Sequence, residues 1–460
     1  MIFGLILAEI LLFLAGALLG HVFLAATVAA ALVFLLLAYR YPNVAWILVW
    51  LAFPFSIEMV IPGGHALHVP TEPMIALALV AWMARLPLAR PIRLPWTSLH
   101  APLAVLGATT LLSVAFSMYP ELGVKGMIAA AGYILFAYVY CLINCRDPAT
   151  IGRSVPWIVG SAAAWGLYGG ARVFLQGYTL RSAYGAARPF FTEHGAYAAY
   201  LAMILPVALL YAMESRGRTR TLYTGASLAI ALGIGLSLTR AAWVSLFLVL
   251  PATLALWYWW RRRVKPLAQV AAIGAVIFVI LLAFGAGARI SRHAETIAAT
   301  GDVSNLERFN RWMAAIEMVR DRPLLGVGYA SYPYVYMQYR RKLIITDMAY
   351  VHSGAHSEIF RLLAESGIPG FLAASWLLCA TAILGLRIFL RSSDSRARLI
   401  SLAILAGLGT YVIHGFFRTY IDLEKVAVPF WASLGVLAAL GQGLGSTSAH
   451  AGARTTTRGA

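Results

Sequence analysis

Residues 241–260 read AAWVSLFLVLPATLALWYWW, a run that holds no charged side chain. A helix needs about 20 mostly apolar residues to cross the hydrocarbon core of a bilayer. The run therefore predicts a membrane-spanning helix, and similar runs recur along the chain. The predicted segments lie at about 2–19, 21–38, 44–61, 72–87, 98–117, 124–144, 154–174, 193–213, 222–238, 241–260, 267–287, 368–390, 399–417 and 426–442.

The composition of the whole chain excludes a soluble globular protein. Hydrophobic residues make up 61% of the 460 residues and charged residues only 12%, which is far more apolar than a soluble domain. The first segment follows no basic region, so it is interpreted as a retained helix rather than a cleaved signal peptide. The sequence predicts an all-α, polytopic integral membrane protein with about 12–14 transmembrane helices and a large external loop containing short amphipathic helices.

The net charge of +18 indicates which partners to expect. Arginines lie between the apolar runs rather than in one basic domain, so anionic membrane lipids and phosphate-bearing substrates fit better than nucleic acid. The three cysteines, Cys141, Cys145 and Cys379, all fall in apolar segments. Their spacing offers neither a disulfide framework nor a zinc site, and no cofactor is predicted.

The basic residues of the loops predict the orientation of the chain. Most of them fall on one side if the segments alternate, and by the positive-inside rule that side is cytoplasmic. The chain then divides into five parts: N-terminal transmembrane helices (1–175), central transmembrane helices with arginine-bearing outer loops (176–287), a large catalytic outer loop (288–367), C-terminal transmembrane helices (368–442) and a disordered cytoplasmic tail (443–460).

Several arginines break this rule on the opposite side. The short outer loop after the seventh segment carries Arg172, Arg181 and Arg188, where basic residues are normally avoided. Arg240, in GLSLTRAAWVS, stands between two apolar runs with no loop around it. An ionisable residue at that depth is a functional candidate, although a side chain that reaches the head groups from a tight hairpin would fit too.

The large outer loop begins with a predicted amphipathic helix, SNLERFNRWMAAIEMVR. Ser304 and Glu307 have the spacing of a capping box, which marks a helix start. Leu306 and Phe309 begin an apolar stripe at helical spacing, so the helix would lie on the bilayer or the bundle and present Arg308 in its first turn. The following DRPLLGVG ends it.

Tyrosines dominate the next stretch, SYPYVYMQYRRK. Such residues commonly anchor a chain at the membrane interface, and this interpretation is preferred for most of them. The alternative is a surface on which sugar rings stack. Tyr332 is retained as a candidate for substrate binding.

The loop closes with VHSGAHSEIFRLLAESGIPG at Val351–Gly370. Ser353 would cap a helix that begins near Ala355 and stops at Gly367. His356 would then lie in the first helical turn, where the helix dipole keeps an imidazole neutral, as a general base must be. Two other interpretations of His352 and His356 remain open, a metal site at i and i+4 spacing and a structural role in hydrogen bonding.

The order of these pieces resembles a known family. It runs from Thr239-Arg240 through Arg308, Trp312 and the Pro-x-x-Gly-x-Gly of 323–328 to His356-Ser357, with Glu365, Gly367 and Gly370 after it. The set is similar to the O-antigen ligase and polymerase family of bacterial inner-membrane proteins, which are glycosyltransferases of the GT-C-like class. The family's usual His-Asn is His356-Ser357 here, its Ser-Arg is Thr239-Arg240, and its Pro-Asn stretch is matched loosely at 188–206.

The resemblance implies transfer of a glycan from undecaprenyl pyrophosphate to an acceptor hydroxyl on the periplasmic face. No Asp-x-Asp pair occurs in the outer loops, so arginines are expected to stabilise the leaving pyrophosphate without a metal ion. Arg240, Arg308 and Arg188 are assigned to the pyrophosphate, and His356 to the acceptor hydroxyl. Arg181, Tyr332 and His352 are further, second-tier candidates for substrate binding.

The acceptor distinguishes members of such a family. An O-antigen ligase passes the glycan to the lipid A-core oligosaccharide and completes lipopolysaccharide, a polymerase passes it to another lipid-linked repeat, and a protein-directed member passes it to Ser or Thr. A single structured outer loop that holds the histidine favours the ligase. A transporter of a lipid-linked anion is the alternative from a different class, although no inverted repeat is evident.

Overall fold

The computed structural model describes residues 22–61, 65–85, 95–191, 193–262, 294–340 and 354–456. Helices dominate these ranges. We number them α1 (Val22–Arg40), α2 (Pro42–Ala52), α3 (Thr71–Arg85), α4 (His100–Ala115), α5 (Pro120–Asn144), α6 (Pro148–Leu175), α7 (Leu180–Tyr184), α8 (His194–Glu214), α9 (Gly217–Leu236), α10 (Arg240–Trp260), α11 (Ala294–Asp321), α12 (Tyr332–Tyr339), α13 (Glu358–Arg391), α14 (Ser395–Gly415) and α15 (Glu424–Thr456).

The predicted class, an all-α polytopic membrane protein, is confirmed. Six of the described helices, among them α8, α10 and α13, are long and apolar enough to cross a membrane. Twelve of the fourteen predicted segments coincide with described helices. The segments 2–19 and 267–287 lie outside the described residues, so the choice between 12 and 14 helices stays a prediction.

The predicted segment 44–61 is wrong in its second half. Helix α2 ends at Ala52 and continues as one turn of 3-10 helix, Phe53–Phe55, where Pro54 has no backbone N–H to donate. The chain then forms a hairpin of β1 (Ile57–Ile61) and β2 (His65–Val69). Its antiparallel register pairs Glu58 with His68, so two ionisable residues stand side by side.

Helix α8 is the centre of the bundle. Almost every residue from Gly195 to Leu205 is buried, and α6, α9, α10 and α14 pack around it. Small residues let these helices approach closely. A Cβ at Gly166 of α6 would overlap the backbone of Ala229 in α9, and one at Gly407 of α14 would crowd the Met203 carbonyl in α8.

Helix α13 breaks where the sequence predicts it to stop. Gly367 has φ +67° inside the helix, a conformation that glycine adopts without steric penalty. The loop of the Pro-x-x-Gly-x-Gly motif docks against this break, because Ile368 N–H donates to the Pro323 carbonyl at 2.8 Å and Val327 N–H to the Ala364 carbonyl at 2.8 Å. This motif therefore joins the outer segment to the α13 helix.

Helix α11 differs from its prediction in two ways. It begins at Ala294, so Ser304 lies within the helix and does not cap it. The predicted apolar stripe also faces outward, since Leu306 is 36% and Phe309 50% exposed while Arg311 is 1% exposed. Polar partners from other segments bury the polar face, and the exposed apolar face suits contact with lipid.

The last helix is longer than predicted. Helix α15 continues to Thr456, into the segment 443–460 for which the sequence predicts a disordered tail.

Candidate active site

His356 lies just before helix α13 and directly precedes Ser357, the N-cap residue of that helix. Its φ is +53°, in the left-handed region that non-glycine residues seldom occupy and that is found often at functional sites. The prediction that His356 lies in the first turn of a helix starting near Ala355 is wrong, because the helix begins at Glu358. Ser353, the predicted cap, lies outside the described residues.

The His356 imidazole forms a hydrogen bond with an arginine of the connection between α14 and α15. Arg418, which follows helix α14, places its Nη1 3.0 Å from His356 Nδ1. A guanidinium only donates hydrogen bonds, so Nδ1 is the acceptor and Nε2 carries the proton of the neutral ring. Burial, then Arg418, Arg311 and Arg308, lowers the pKa of His356 to about 3. The ring is therefore neutral at physiological pH through burial and nearby charge, rather than through a helix dipole.

Three arginines lie beside this histidine: Arg418 and Arg308 act on its imidazole directly, and Arg240 acts on Arg308. Burial, followed by the charges of Arg418 and Arg240, lowers the pKa of Arg308, which places both of these side chains within electrostatic range of Arg308. Among the described residues, Arg240 and Arg308 form no salt bridge, and Arg418 has only the half-exposed Glu193 at 3.4 Å. We call Arg240, Arg308 and Arg418 the arginine cluster, and its excess positive charge suits an anion.

Arg240 is placed by the tight turn between α9 and α10. Thr239 is buried, and its hydroxyl donates to the His194 carbonyl at 3.5 Å, which joins the start of α10 to the start of α8. The His194 ring stacks on Tyr184 with centroids 4.3 Å apart. Helix starts meet here, so backbone N–H groups and a guanidinium share one end of the bundle, an arrangement that favours anions.

Arg311 supports the site from inside α11. It pairs with Glu307 at 2.8 Å, and its guanidinium carbon lies 4.5 Å above the ring of Tyr336. Its Nη1 also donates to the Gly354 carbonyl at 3.4 Å, two residues before His356. Arg311 thus fixes the backbone that carries the histidine.

Tyr332 lies behind Arg311 rather than at the surface. It is fully buried, and its hydroxyl donates to the Arg311 carbonyl at 2.7 Å. Burial raises its pKa well above the ordinary value, so the hydroxyl stays a donor. Tyr336 is also buried, and the prediction that most of these tyrosines are interfacial anchors is wrong for these two.

A second charge network, with three carboxylates around one guanidinium, lies one turn into α13. Arg361 pairs with Glu365 at 2.9 Å, with Glu358, and more distantly with Asp422 at 3.7 Å. Glu365 also accepts from the backbone N–H of Tyr332 at 3.1 Å. We call these four residues, Arg361, Glu358, Glu365 and Asp422, the Arg361 network. The positive charge of Arg361 is compensated within the protein, and the contact of Glu365 with Tyr332 holds α12 and α13 together.

The other predicted residues are placed differently. Arg188 and Arg181 are exposed, and the described hydrogen bonds of Arg188 are made by its backbone: its N–H donates to the Gly185 carbonyl at 3.1 Å, and its carbonyl accepts from the Tyr168 hydroxyl at 3.0 Å. His352 lies outside the described residues. Of the predicted set, Arg240, Arg308 and His356 are therefore brought together, Tyr332 stands behind them, and Arg188 and Arg181 have no described contact with them.

Arg418 is the functional residue that sequence reasoning missed. It stands in the short connection FFRTYIDLEK between α14 and α15, on the side of the predicted topology where basic residues are avoided. The same criterion that selected Arg172, Arg181 and Arg188 would have selected it.

The fold and the site define a polytopic helical membrane protein in which an arginine cluster adjoins a buried, neutral histidine. A protein-family model described as O-Antigen ligase matches residues 225–375, a range that includes Arg240, Arg308 and His356. The match supports assignment to the O-antigen ligase family and confirms the resemblance seen in the sequence. It supports an enzyme of the ligase or polymerase type. No curated protein gives a significant match to the chain.

Proposed function

We propose that this protein is a glycosyltransferase that transfers O-antigen polysaccharide from undecaprenyl pyrophosphate to a hydroxyl of the lipid A-core oligosaccharide. The reaction takes place at the periplasmic face of the bacterial inner membrane and completes lipopolysaccharide. The observation that carries the proposal is the arginine cluster beside His356: Arg418 and Arg308 lie within electrostatic range of the imidazole, and Arg240 lies within range of Arg308. Those residues come from four separate parts of the chain.

The arginine cluster fits a pyrophosphate. Guanidinium groups donate paired hydrogen bonds to phosphate oxygens and keep their charge at every physiological pH. Donors held in place before the reaction stabilise the negative charge that develops on the leaving group, at about 3–4 kcal/mol for one donor. No metal ion needs to contact the pyrophosphate in this mechanism.

The proposed step begins when the pyrophosphate enters the arginine cluster. Its negative charge offsets the charges that depress the pKa of His356, and Arg418 turns from Nδ1 to a phosphate oxygen. The released Nδ1 takes the proton of the acceptor hydroxyl. The hydroxyl oxygen then bonds to the anomeric carbon, and the bond from that carbon to the phosphate oxygen breaks. Undecaprenyl pyrophosphate leaves with the bonding electrons, and His356 later returns its proton to water.

The two other exposed arginines have a distinct place in this proposal. Arg188 and Arg181 would guide the pyrophosphate or the glycan at the entrance, because both are exposed on the segment that precedes α8. His352 is proposed as a second substrate contact in the outer loop. Tyr332 would act through Arg311, whose carbonyl it binds.

The experiment that tests the proposal uses purified protein in detergent with a lipid-linked glycan donor and no added divalent metal. One arm supplies lipid A-core and the other supplies additional lipid-linked repeats. Glycan on lipid A-core is the expected product. Longer lipid-linked chains would overturn the ligase in favour of the polymerase, and neither product, from protein that still binds the donor, would favour a transporter.

A further inference from the structure

Three ionisable side chains outside the arginine cluster converge near the β-hairpin. His68 belongs to β2, Glu72 to the first turn of α3, and Glu424 is the first residue of α15. One ligand atom from each lies within 4.8 Å of the other two. Residues from the two ends of the described chain thus form one compact group of a nitrogen and two carboxylate donors.

Glu424 makes this group more than a chance cluster of acids. Its side chain is fully buried, Oε1 accepts from the Ser56 hydroxyl, and Oε2 has no hydrogen-bond partner among the described residues. A buried carboxylate oxygen without a hydrogen bond destabilises the fold, because it has lost its hydration and gains no partner in return. The neighbouring Lys425 lies within electrostatic range of Glu424, but its Nζ donates to the Ser56 carbonyl at 2.8 Å and to the Phe190 carbonyl, and it forms no hydrogen bond with Oε2.

The surroundings orient the other two donors. The Tyr133 hydroxyl donates to Glu72 Oε1 at 2.7 Å, and the His68 backbone N–H donates to Glu72 Oε2 at 3.0 Å. His68 Nδ1 lies 3.4 Å from Glu72 Oε1, so the two donor atoms already face each other. Partners of this kind, which fix the direction of ligand atoms, are a regular part of metal sites.

The charge balance also calls for a cation. Glu58 stands opposite His68 in the hairpin register, which adds a third carboxylate beside the group, and Lys425 is the lysine within electrostatic range of Glu424. One imidazole nitrogen with two carboxylate oxygens is a ligand set that zinc accepts, with water in the remaining position. Calcium and magnesium favour sites made of oxygen alone.

We propose that His68, Glu72 and Glu424 bind a divalent metal ion of the zinc class, and that this ion fixes the start of α15 against the hairpin and α3. The connection between α14 and α15 carries Arg418, which contacts His356, and it ends at Glu424. The ion therefore also anchors one end of this connection. It takes no part in glycan transfer, and its existence does not depend on the proposed function.

Zinc chloride alone is the probe for this site. Tag-free protein in detergent is stripped with a chelator, and zinc binding is measured by calorimetry and by metal analysis after gel filtration. We expect one zinc ion per chain. Glu72→Gln and Glu424→Gln should weaken binding by about 100-fold or more, and Tyr133→Phe, which removes only an orienting hydroxyl, by about 10-fold or more.

The matched control is Glu121→Gln, which removes an exposed carboxylate in the first turn of α5 and should bind zinc like the wild type. X-ray absorption at the zinc edge of the wild-type protein should show nitrogen and oxygen ligands that include one imidazole, a result that needs no variant to fold. Three results would each overturn the site. They are failure of the wild type to bind zinc, wild-type affinity in folded Glu72→Gln and Glu424→Gln, and a ligand set with several imidazoles or with sulfur.

Discussion

The arginine cluster meets His356 only five residues before Arg361, yet the cluster and the Arg361 network arrange their charges in opposite ways. Arg361 is almost fully buried, and three carboxylates compensate it. Of Arg240, Arg308 and Arg418, only Arg418 pairs with a carboxylate among the described residues, the half-exposed Glu193. A compensated buried charge stabilises the fold only as long as its partners remain. An excess of one sign of charge beside a titratable ring instead marks a place where a ligand supplies the missing charge.

The sharpest way to test this comparison is to remove the group that the cluster surrounds. His356→Ala should lower kcat/KM for glycan transfer by about 10²–10⁴-fold, because the acceptor hydroxyl loses its general base. Binding of undecaprenyl pyrophosphate should persist, since the arginine cluster is untouched. Both are measured on detergent-purified protein, and transfer at the wild-type rate would refute the base assignment.

The next test separates the two regions by the stability of the protein. Arg361→Met leaves Glu358 and Glu365 buried without their partner, which should destabilise the fold by about 3–5 kcal/mol. Arg418→Met is the matched control, and it should change stability by less than about 1 kcal/mol, because its pair with Glu193 is partly exposed. Thermal unfolding of the two variants and the wild type checks both values. A larger loss of stability in Arg418→Met would mean that the cluster is a structural network too.

A smaller effect on transfer is expected when the charge stays and only its geometry changes. Arg240→Lys keeps the positive charge but loses the paired donors that match a phosphate, so kcat/KM should fall by about 100-fold. Arg218→Lys provides the comparison, because Arg218 is exposed at the start of α9, at the other end of that helix from Arg240. Near-normal transfer by Arg240→Lys would instead support an arginine that merely reaches the lipid head groups.

Much of this arrangement was open to prediction from the sequence. Apolar runs predict helices well because a membrane imposes their length, and Arg240 was selected because charge near an apolar run is costly. The hairpin escaped prediction because Ile57–Ile61 continues the apolar run of α2, although Pro54 and the Pro62-Gly63-Gly64 run both indicate a break. Alternation of apolar and polar residues is too short there to distinguish a strand from a helix.

The remaining misses concern contacts between distant segments. The capping-box spacing of Ser304 and Glu307 predicts a helix start, whereas Glu307 pairs with Arg311 inside a longer helix. Arg311 tolerates burial because its guanidinium donates to the Gly354 carbonyl and lies over the ring of Tyr336. Local spacing does not reveal such partners, and for the same reason the contact between Arg418 and His356 is visible only in the fold.

The finest test of the comparison is the pH dependence of transfer. The pKa of His356 in the free protein is about 3, below its ordinary value of about 6.5, so the ring stays neutral as the pH falls from 8 to 5. A base with the ordinary pKa would lose about 30-fold of its active form at pH 5. Since kcat/KM reports the free enzyme, it should show no such loss from His356.

In the complex, the pyrophosphate offsets the arginine charges and raises the pKa of His356, so kcat should fall as the pH drops through this raised pKa. Rates measured from pH 5 to 8 check both parts, and a decline of kcat/KM with a midpoint near 6.5 would show that the arginines do not control the histidine.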